Sequence, residues 1–360
     1  MTNYLLAGGG TAGHVNPLLA LADAIKLSSP KDQVYALGTA EGLEKDLVPA
    51  RGYELLTVPK LPFPRRLNGY AFRFPAKFIS AINHAAAIMQ QKEIDVVVGF
   101  GGYASAPAYL AAKKLGIPVV VHEANALPGW ANKLGAKFAA AVGVAFAATP
   151  LSGAVHVGMP LRKEIQDLTL DSSSKGAQAK TARKHFGLDE NTVTLLVTGG
   201  SLGAKRINET IESARKVLSA AGIQVLHIVG GKSDLPELKT KDYVRINYCD
   251  RMDLAISAAS FAVSRAGAST VSEFAAVGLP AVYIPYAVGN GEQKLNVATL
   301  VKAGGGVVVP DSEFTPEYVA EVLIPLISNS KELQQMSIAA KSSGISDGTS
   351  RLLRLVQGVL

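Results

Sequence analysis

Apolar positions along the chain fall in short runs separated by stretches of helical spacing. Asn3–Ala7 is one such run, leading into GGGTAGHVNP (8–17) and then the helix-like LLALADAI. Val193–Thr198 repeats the arrangement, leading into GGSLGAKRIN (199–208) and then ETIESARKVL. A second pair follows. DVVVGFGGYASAPAYLAAKKLGIPVVVHE (95–123) is echoed by SFAVSRAGASTVSEFAAVGLPAVYIPY (260–286), each reading strand, glycine-containing turn, helix, Gly-Ile/Leu-Pro, strand. Strands alternating with helices predict parallel α/β units. The echo predicts two of them, Rossmann-like and in tandem, with a boundary near Gly158-Met159-Pro160: a first domain over 1–160, a second over 161–340, and a last helix over 341–360 packing back towards the first. The polar stretch Asp171–Thr181 reads as a mobile loop.

Composition narrows the class. At 360 residues the chain is long enough for two cores. With 48% hydrophobic and 18% charged residues it is no disordered polymer. One cysteine, Cys249, excludes an internal disulfide and a cysteine-cluster metal site, and fits a reducing compartment. Met1-Thr2-Asn3-Tyr4 carries no basic n-region, and the apolar run behind it ends at Gly8, so no secretory signal is expected. The uncharged stretch Phe138–Val155 is broken by Gly143 and Thr149-Pro150 and reads as a buried strand plus a turn. A cytoplasmic location is expected.

The net charge of +7 is unevenly placed. Residues 1–163 hold 16 Lys and Arg against 9 Asp and Glu, whereas the remainder holds 20 of each. Leu55–Lys92 contains no acid at all, and its Lys60, Arg65, Arg66, Arg73, Lys77 and Lys92 are interleaved with Phe63, Leu67, Tyr70, Phe72, Phe74, Phe78 and Ile79. Exposed Phe beside Arg and Lys suits a surface that is both apolar and anionic. A solvated basic loop is the plainer alternative. The echo supplies a second argument: Gly8 to Gly116 spans 108 residues and Gly199 to Gly278 only 79, so this stretch lies within an insertion of about 29 residues relative to its twin. Trp130 reads as partial core rather than as a lipid contact, its alternative.

Gly8-Gly9-Gly10-Thr11-Ala12-Gly13 fits the dinucleotide fingerprint G-x-G-x-x-G. The acid that should hold a ribose is missing from the end of the next strand, Gln33–Leu37, where Glu41 is nearest, which argues against a dehydrogenase. His14 instead falls in the first turn of the following helix. GGSLGAK fails the Walker spacing, yet it offers bare N–H groups at a helix N-terminus, as does Arg265–Thr270 ahead of Glu273. Two such loops in one domain suit a diphosphate. Neither half has a D-x-D pair, so a metal-chelated nucleotide is not expected.

Taken together, GGGTAGHVNP, GFGGYASAP (99–107), HEANALPGWANK (122–133), GGSLGAKRIN, SRAGASTVSEFAAVGLPAVYIPY and GNGEQKLN (289–296) resemble the MurG family across nearly the whole chain. These are peripheral membrane transferases that add N-acetylglucosamine to the lipid-linked muramyl-pentapeptide precursor of peptidoglycan. The resemblance implies an α/β GT-B fold, two Rossmann-like domains with parallel sheets facing across a cleft and closing about a hinge near 158–160. It implies an inverting, metal-independent hexosyltransferase, with no cofactor. UDP-N-acetylglucosamine would meet Thr11, Gly13, Asn125, Arg162, Ser201, Cys249, Ala268, Ser269, Thr270, Glu273 and Gln293. Among these, Glu273 would take the ribose hydroxyls, the backbone at Cys249 the uracil edge, Gln293 with Glu292 the sugar hydroxyls, and Asn296 would support that loop.

On the acceptor side the resemblance implies Gly10, Thr11, His14, Asn16, Gly102 and Tyr103, with His14 as general base for the C4 hydroxyl of the polyprenyl-diphosphate muramyl-pentapeptide. Arg65, Arg66, Phe72, Arg73, Phe74 and Lys77 would touch the inner face of the cell membrane, beside cell-wall and division proteins as partners. Leu202, Glu292 and Met159 depart from the family, which often has Gln, Gln and Asn there. Each residue also has a plainer reading: His14 as a polar helix start, Glu273 as a first-turn carboxylate on its own helix dipole, Asn125 as turn chemistry, Gln293 and Asn296 as loop hydrogen-bonders, His122 and Glu123 as structural. A diacylglycerol glycosyltransferase of the same fold and a basic nucleic-acid-binding module are the competing functions; no nucleic acid is expected.

Overall fold

The computed structural model describes residues 1–64, 69–170, 175–286 and 291–360. The chain divides into two units: Met1–Arg162 with Asp347–Leu360, and Lys163–Ser346. The crossings fall at 162/163 and 346/347, a few residues beyond 160 and 340.

In unit 1 the apolar runs form β1 (Asn3–Ala7), β2 (Gln33–Gly38), β3 (Glu54–Thr57), β4 (Val96–Gly99), β5 (Val119–Glu123), β6 (Ala141–Val144) and β7 (Val155–His156). They make one parallel sheet in the order β3-β2-β1-β4-β5-β6-β7. Alternate side chains of each strand enter separate cores, as the twofold period of a strand requires. Leu5, Ala7, Val97 and Val121 pack on one face, and Tyr4, Leu6, Val96, Val98 and Val120 on the other. Burial on both faces explains why these strands read as unbroken apolar runs. The C-terminal helix Gly348–Gln357 completes the second face with Leu352 and Val356.

Unit 2 repeats the plan with β8 (Thr194–Thr198), β9 (Gln224–Ile228), β10 (Leu238–Lys239), β11 (Tyr243–Ile246), β12 (Phe261–Ser264), β13 (Ala281–Tyr283) and β14 (Gly306–Val308). Their order is β10-β11-β9-β8-β12-β13-β14, parallel apart from the edge pair β10–β11. The twins differ most in one crossover. Between β3 and β4 runs a 23-residue helix, Gly69–Gln91, where the equivalent connection of unit 2 holds the 7-residue helix Met252–Ala258. The acid-free stretch therefore includes a much longer helix at that crossover than its twin has. One expectation fails: residues 175–181 are not loop but the start of a helix, Lys175–Phe186, and residues 171–174 lie outside the described residues. Ala177, Ala179 and Ala182 favour helix among the polar residues, and the buried Ala182 anchors it.

Two imidazoles are buried within the sheets. His122 on β5 reaches the carbonyl of Gly158 with Nε2 (3.0 Å), and burial pushes its pKa down to about 4. His227 on β9 lies between the Tyr243 hydroxyl (2.6 Å) and Asn208 Oδ1 (3.1 Å), and burial, helped by Arg245, pushes it down to about 3. Both are structural. Between about pH 6.5 and these values the unfolded chain binds the proton and the folded chain does not, so stability falls as the solution is acidified. Going from pH 8 to pH 5, each should cost about 2 kcal/mol. Urea unfolding at the two pH values measures this, and His227→Asn should remove its share. Equal acid sensitivity in the variant would show that the imidazole titrates normally.

Candidate active site

An open parallel sheet binds its ligands beyond the carboxyl ends of the strands, where the strand order reverses. In unit 1 that point lies between β1 and β4. Here the chain leaves β1 through Gly8-Gly9-Gly10-Thr11 and enters α1 (Ala12–Ser28), with Thr11 as an extended N-cap and no acid in the first turn. His14 sits in that first turn. Its Nδ1 lies 3.0 Å from the carbonyl oxygen of Gly9, a group that can only accept, so Nδ1 carries the proton and Nε2 keeps its lone pair.

The loop after β4 closes on the same place. A Cβ on Gly101 would stand 3.2 Å from His14 Nε2, and one on Gly102 would stand 2.6 Å from the Gly9 carbonyl oxygen. Ser105 Oγ fastens this loop, accepting from the Gly101 N–H and lying within hydrogen-bond distance of the Ala7 and Gly101 carbonyls. Tyr103 is exposed.

A third loop, after β5, is organised by the buried carboxylate of Glu123. Its oxygens accept from the N–H groups of Asn125 (2.8 Å) and Gly129 (3.0 Å) and from Asn132 Nδ2 (2.9 Å). Asn132 in turn takes the Tyr109 hydroxyl on Oδ1 (2.7 Å), and its Nδ2 lies 3.4 Å from the same hypothetical Gly101 Cβ. Asn132 thus belongs to the His14 neighbourhood, although the resemblance assigned it no role. Its presence within HEANALPGWANK was the available signal. Asn125 has the turn chemistry of its plainer reading, with its carbonyl taken by Thr149 Oγ1 (3.1 Å).

In unit 2 the reversal lies between β8 and β12. The loop after β8, Gly199–Ala204, is pinned by Gly203 N–H to Gly200 O (2.9 Å) and Gly231 N–H to Ser201 O (3.0 Å). Gly203, at φ +84°, is pressed on the Val229 carbonyl, and Gly230 is pressed back on Gly203. Neither position leaves room for a Cβ. The helix Lys205–Ser213 follows, again with no acid in its first turn. Leu202 is exposed and supplies no hydrogen-bonding group.

The loop after β12 enters the helix Ala268–Val277, whose first turn also lacks an acid. Ser269 Oγ is buried and has no hydrogen-bond partner among the described residues. Glu273 is 7% exposed and lies in the second turn, so the first-turn dipole reading does not describe it. Asn296 is buried with Nδ2 on the Ala266 carbonyl (3.3 Å), and Gln293 accepts the Tyr286 N–H on Oε1 (2.9 Å), keeping its amide N–H groups. Cys249, just past β11, is buried.

Within unit 1 the structure brings Gly10, Thr11, Gly13, His14 and Gly102 to one sheet edge, with Asn16 one turn along α1 and Asn125 on the loop after β5. Within unit 2 it brings Ser201, Ala268, Ser269, Thr270 and Glu273 to one edge, with Cys249 and Gln293 on the loops flanking it. Arg162 is the last residue of the first segment of unit 1.

The helix Gly69–Gln91 has two characters. Its C-terminal half buries Ala81, Ala85, Ala86, Ile88 and Met89, while Phe72 (81% exposed), Arg73 and Lys77 face outwards in its first half. Phe63, Phe74, Phe78 and Tyr70 join ring to ring, and Trp130, 50% exposed, packs on Phe63 (5.3 Å) and Phe78 (6.4 Å). Trp130 is therefore part of this surface cluster, not partial core. Arg65 and Arg66 lie outside the described residues. No described helix is long and apolar enough to cross a membrane.

Residues 4–144 match the family model of the glycosyltransferase family 28 N-terminal domain, and residues 194–352 that of the family 28 C-terminal domain. The chain is a glycosyltransferase of the GT-B fold. It is 54% identical over 99% of its length to a Clavibacter sepedonicus protein, 96% of which is covered, and 48% identical over 98% to one from Streptomyces coelicolor, 97% of which is covered. Both are named UDP-N-acetylglucosamine–N-acetylmuramyl-(pentapeptide) pyrophosphoryl-undecaprenol N-acetylglucosamine transferase. The crystal structure of Acinetobacter baumannii MurG superposes with a TM-score of 0.76 at 28% identity, covering 99% of this chain and 100% of that one. The chain belongs to the MurG family.

Gly203→Ala tests the unit 2 loop. A side chain at this left-handed position costs about 1–2 kcal/mol before the overlap with Val229 is counted, so thermal unfolding should occur at a clearly lower temperature. An unchanged midpoint would mean that the two glycine loops do not meet as described.

Proposed function

We propose that the chain transfers N-acetylglucosamine from UDP-N-acetylglucosamine to the C4 hydroxyl of a polyprenyl-diphosphate-linked muramyl-pentapeptide, with inversion at the anomeric carbon. The observation that carries this reading is near-full-length identity with relatives named for that transfer. His14 supplies its chemistry. As the C4 oxygen attacks the anomeric carbon, the bond from that carbon to the β-phosphate oxygen breaks, UDP leaves with the electron pair, and the hydroxyl proton passes to Nε2. The Gly9 carbonyl keeps Nδ1 protonated, so the base always presents the correct nitrogen. General base catalysis of this kind is worth roughly 10²–10⁴-fold.

Charge developing on UDP would be met by the N–H groups opening the helices Lys205–Ser213 and Ala268–Val277, where no first-turn carboxylate opposes an anion. Ser269 Oγ is a hydroxyl in want of a partner there. Ser201, Thr270 and Arg162 would add contacts to the diphosphate, with Arg162 charge-assisted. Glu273 would accept from the ribose hydroxyls, the Cys249 backbone would read the uracil, and the amide N–H groups of Gln293, with Glu292, would hold the sugar.

The exposed rings of Phe63, Phe72 and Trp130 beside Arg73 and Lys77 would dock on the anionic inner face of the cell membrane, where the lipid acceptor resides. Rings suit the interfacial zone, and cations suit anionic head groups.

His14→Ala should lower turnover at least a hundredfold in a radiolabel transfer assay with a short-chain lipid-diphosphate acceptor, while UDP still binds. Near-normal turnover would remove His14 as the base. Replacing Phe72, Arg73 and Lys77 together by Ser should release the protein from anionic vesicles, since each cation near such a surface is worth about 1 kcal/mol. Undiminished sedimentation with the vesicles would sink the docking reading.

A further inference from the structure

Glu44 is a charged side chain for which neither the sequence motifs nor the transfer chemistry provides a role. It opens α2 (Glu44–Ala50) and is 1% exposed. Such burial of a carboxylate is costly unless donors replace the lost water. They do: Oε1 accepts from the Thr39 N–H (2.9 Å) and the Thr39 hydroxyl (2.8 Å), and Oε2 accepts from the Gly10 N–H (2.7 Å). Burial alone would raise its pKa, but the Gly10 N–H, the N–H of Glu44 itself and the two Thr39 donors together hold it below the ordinary carboxylate value. Among the described residues its oxygens meet these donors and no cation.

Three glycines from two loops surround the side chain. A Cβ at Gly9, Gly38 or Gly42 would overlap it. The backbone has been brought as close to this carboxylate as glycine allows, and the loop so held is the one that carries the site.

The Gly10 N–H and the Gly9 carbonyl belong to one peptide group. Glu44 Oε2 accepts from its N–H end, while His14 Nδ1 donates to its oxygen end at 3.0 Å. In a planar peptide these two bonds reinforce each other, because an anion at the N–H increases the negative charge on the oxygen. We propose that Glu44 is a positioning residue for His14, acting through the Gly9–Gly10 peptide. The buried carboxylate fixes the peptide's orientation and polarises its carbonyl, which holds the proton on Nδ1 and keeps Nε2 bare and basic. The arrangement performs through a peptide what an acid bonded directly to a histidine does elsewhere. This inference rests on His14 being the base, and its test separates the two.

The experiment uses the full chain with Glu44→Gln. A carboxamide has one acceptor oxygen, so either Thr39 or Gly10 must then face an NH2 group. The tautomer of His14 is read by 15N NMR of histidine-labelled protein above pH 8, its signals assigned by their loss in His14→Gln. Wild type should show Nδ1 protonated, and Glu44→Gln should move towards the Nε2-protonated form. In parallel, kcat should fall about 10–100-fold, the usual effect of removing a group that orients a reacting one, with the KM for UDP-N-acetylglucosamine unchanged.

Should Glu44→Gln fail to fold, Glu44→Asp, which keeps the charge but withdraws it from Gly10, is read by the same spectrum. A folded variant with lower kcat and an unmoved tautomer would reduce Glu44 to a structural role and overturn the proposal, as would unchanged kcat. Normal turnover in His14→Ala would refute the base itself, whereas the tautomer measurement reports on the relay regardless.

Discussion

A parallel strand cannot hand the chain to its neighbour by a tight turn, so every strand of the two main ladders passes it to a crossover at the same edge. All else in this protein follows from that edge. The loops leaving β1, β4 and β5 in unit 1, and β8 and β12 in unit 2, start where the strands end, and the helices they enter turn their N–H groups outwards there. Glycine is needed because the loops touch one another. Gly102 meets the carbonyl of Gly9, Gly203 meets that of Val229, and Gly101 stands against His14. Close approach of backbone brings donors and acceptors into one small volume, and it leaves the imidazole's orientation to a neighbouring peptide rather than to a side chain.

The two units spend charge differently. Unit 2 is balanced in acids and bases, so the anion binding proposed there would rest on oriented backbone and on placed groups such as Ser269. Unit 1 carries the excess, and the acid-free stretch Leu55–Lys92 supplies six of its cations, two of them, Arg73 and Lys77, on a helix longer than its twin's. That helix joins an ordinary buried half, with Ala85 and Met89 in the core, to an exposed half where Phe72 stands beside Arg73 and Lys77. The +7 of the whole chain therefore belongs to unit 1, and to that stretch above all. It says little about the site and bears instead on the membrane docking proposed for that surface.

Where the structure departs from what the sequence suggests, the cause is contact at long range for Trp130 and Glu44 and local helix propensity for residues 175–181. Trp130 could be judged core because an isolated Trp has no partner in its own segment, and its ring neighbours are Phe63 and Phe78 from a distant one. The polar stretch after residue 170 suggested loop, yet alanines among its charges make helix from 175 onwards. Glu41 is the first acid after β2 in sequence, whereas the acid that reaches the glycine loop is Glu44, five residues beyond Thr39. It holds peptide N–H groups instead of the ribose hydroxyls of a dinucleotide.

The sequence by itself determined the two α/β units, the glycine turns and helix starts, the inserted basic and aromatic stretch, and the family, because each is written in local spacing or in an internal echo. Only the tertiary structure decided which groups share a peptide, a ring stack or a cavity wall. Gly10 and Glu44 are 34 residues apart, and no periodicity records that they meet. Their meeting depends on β1 and β2 lying side by side, with two loops packed so closely that a buried carboxylate finds its donors in the backbone.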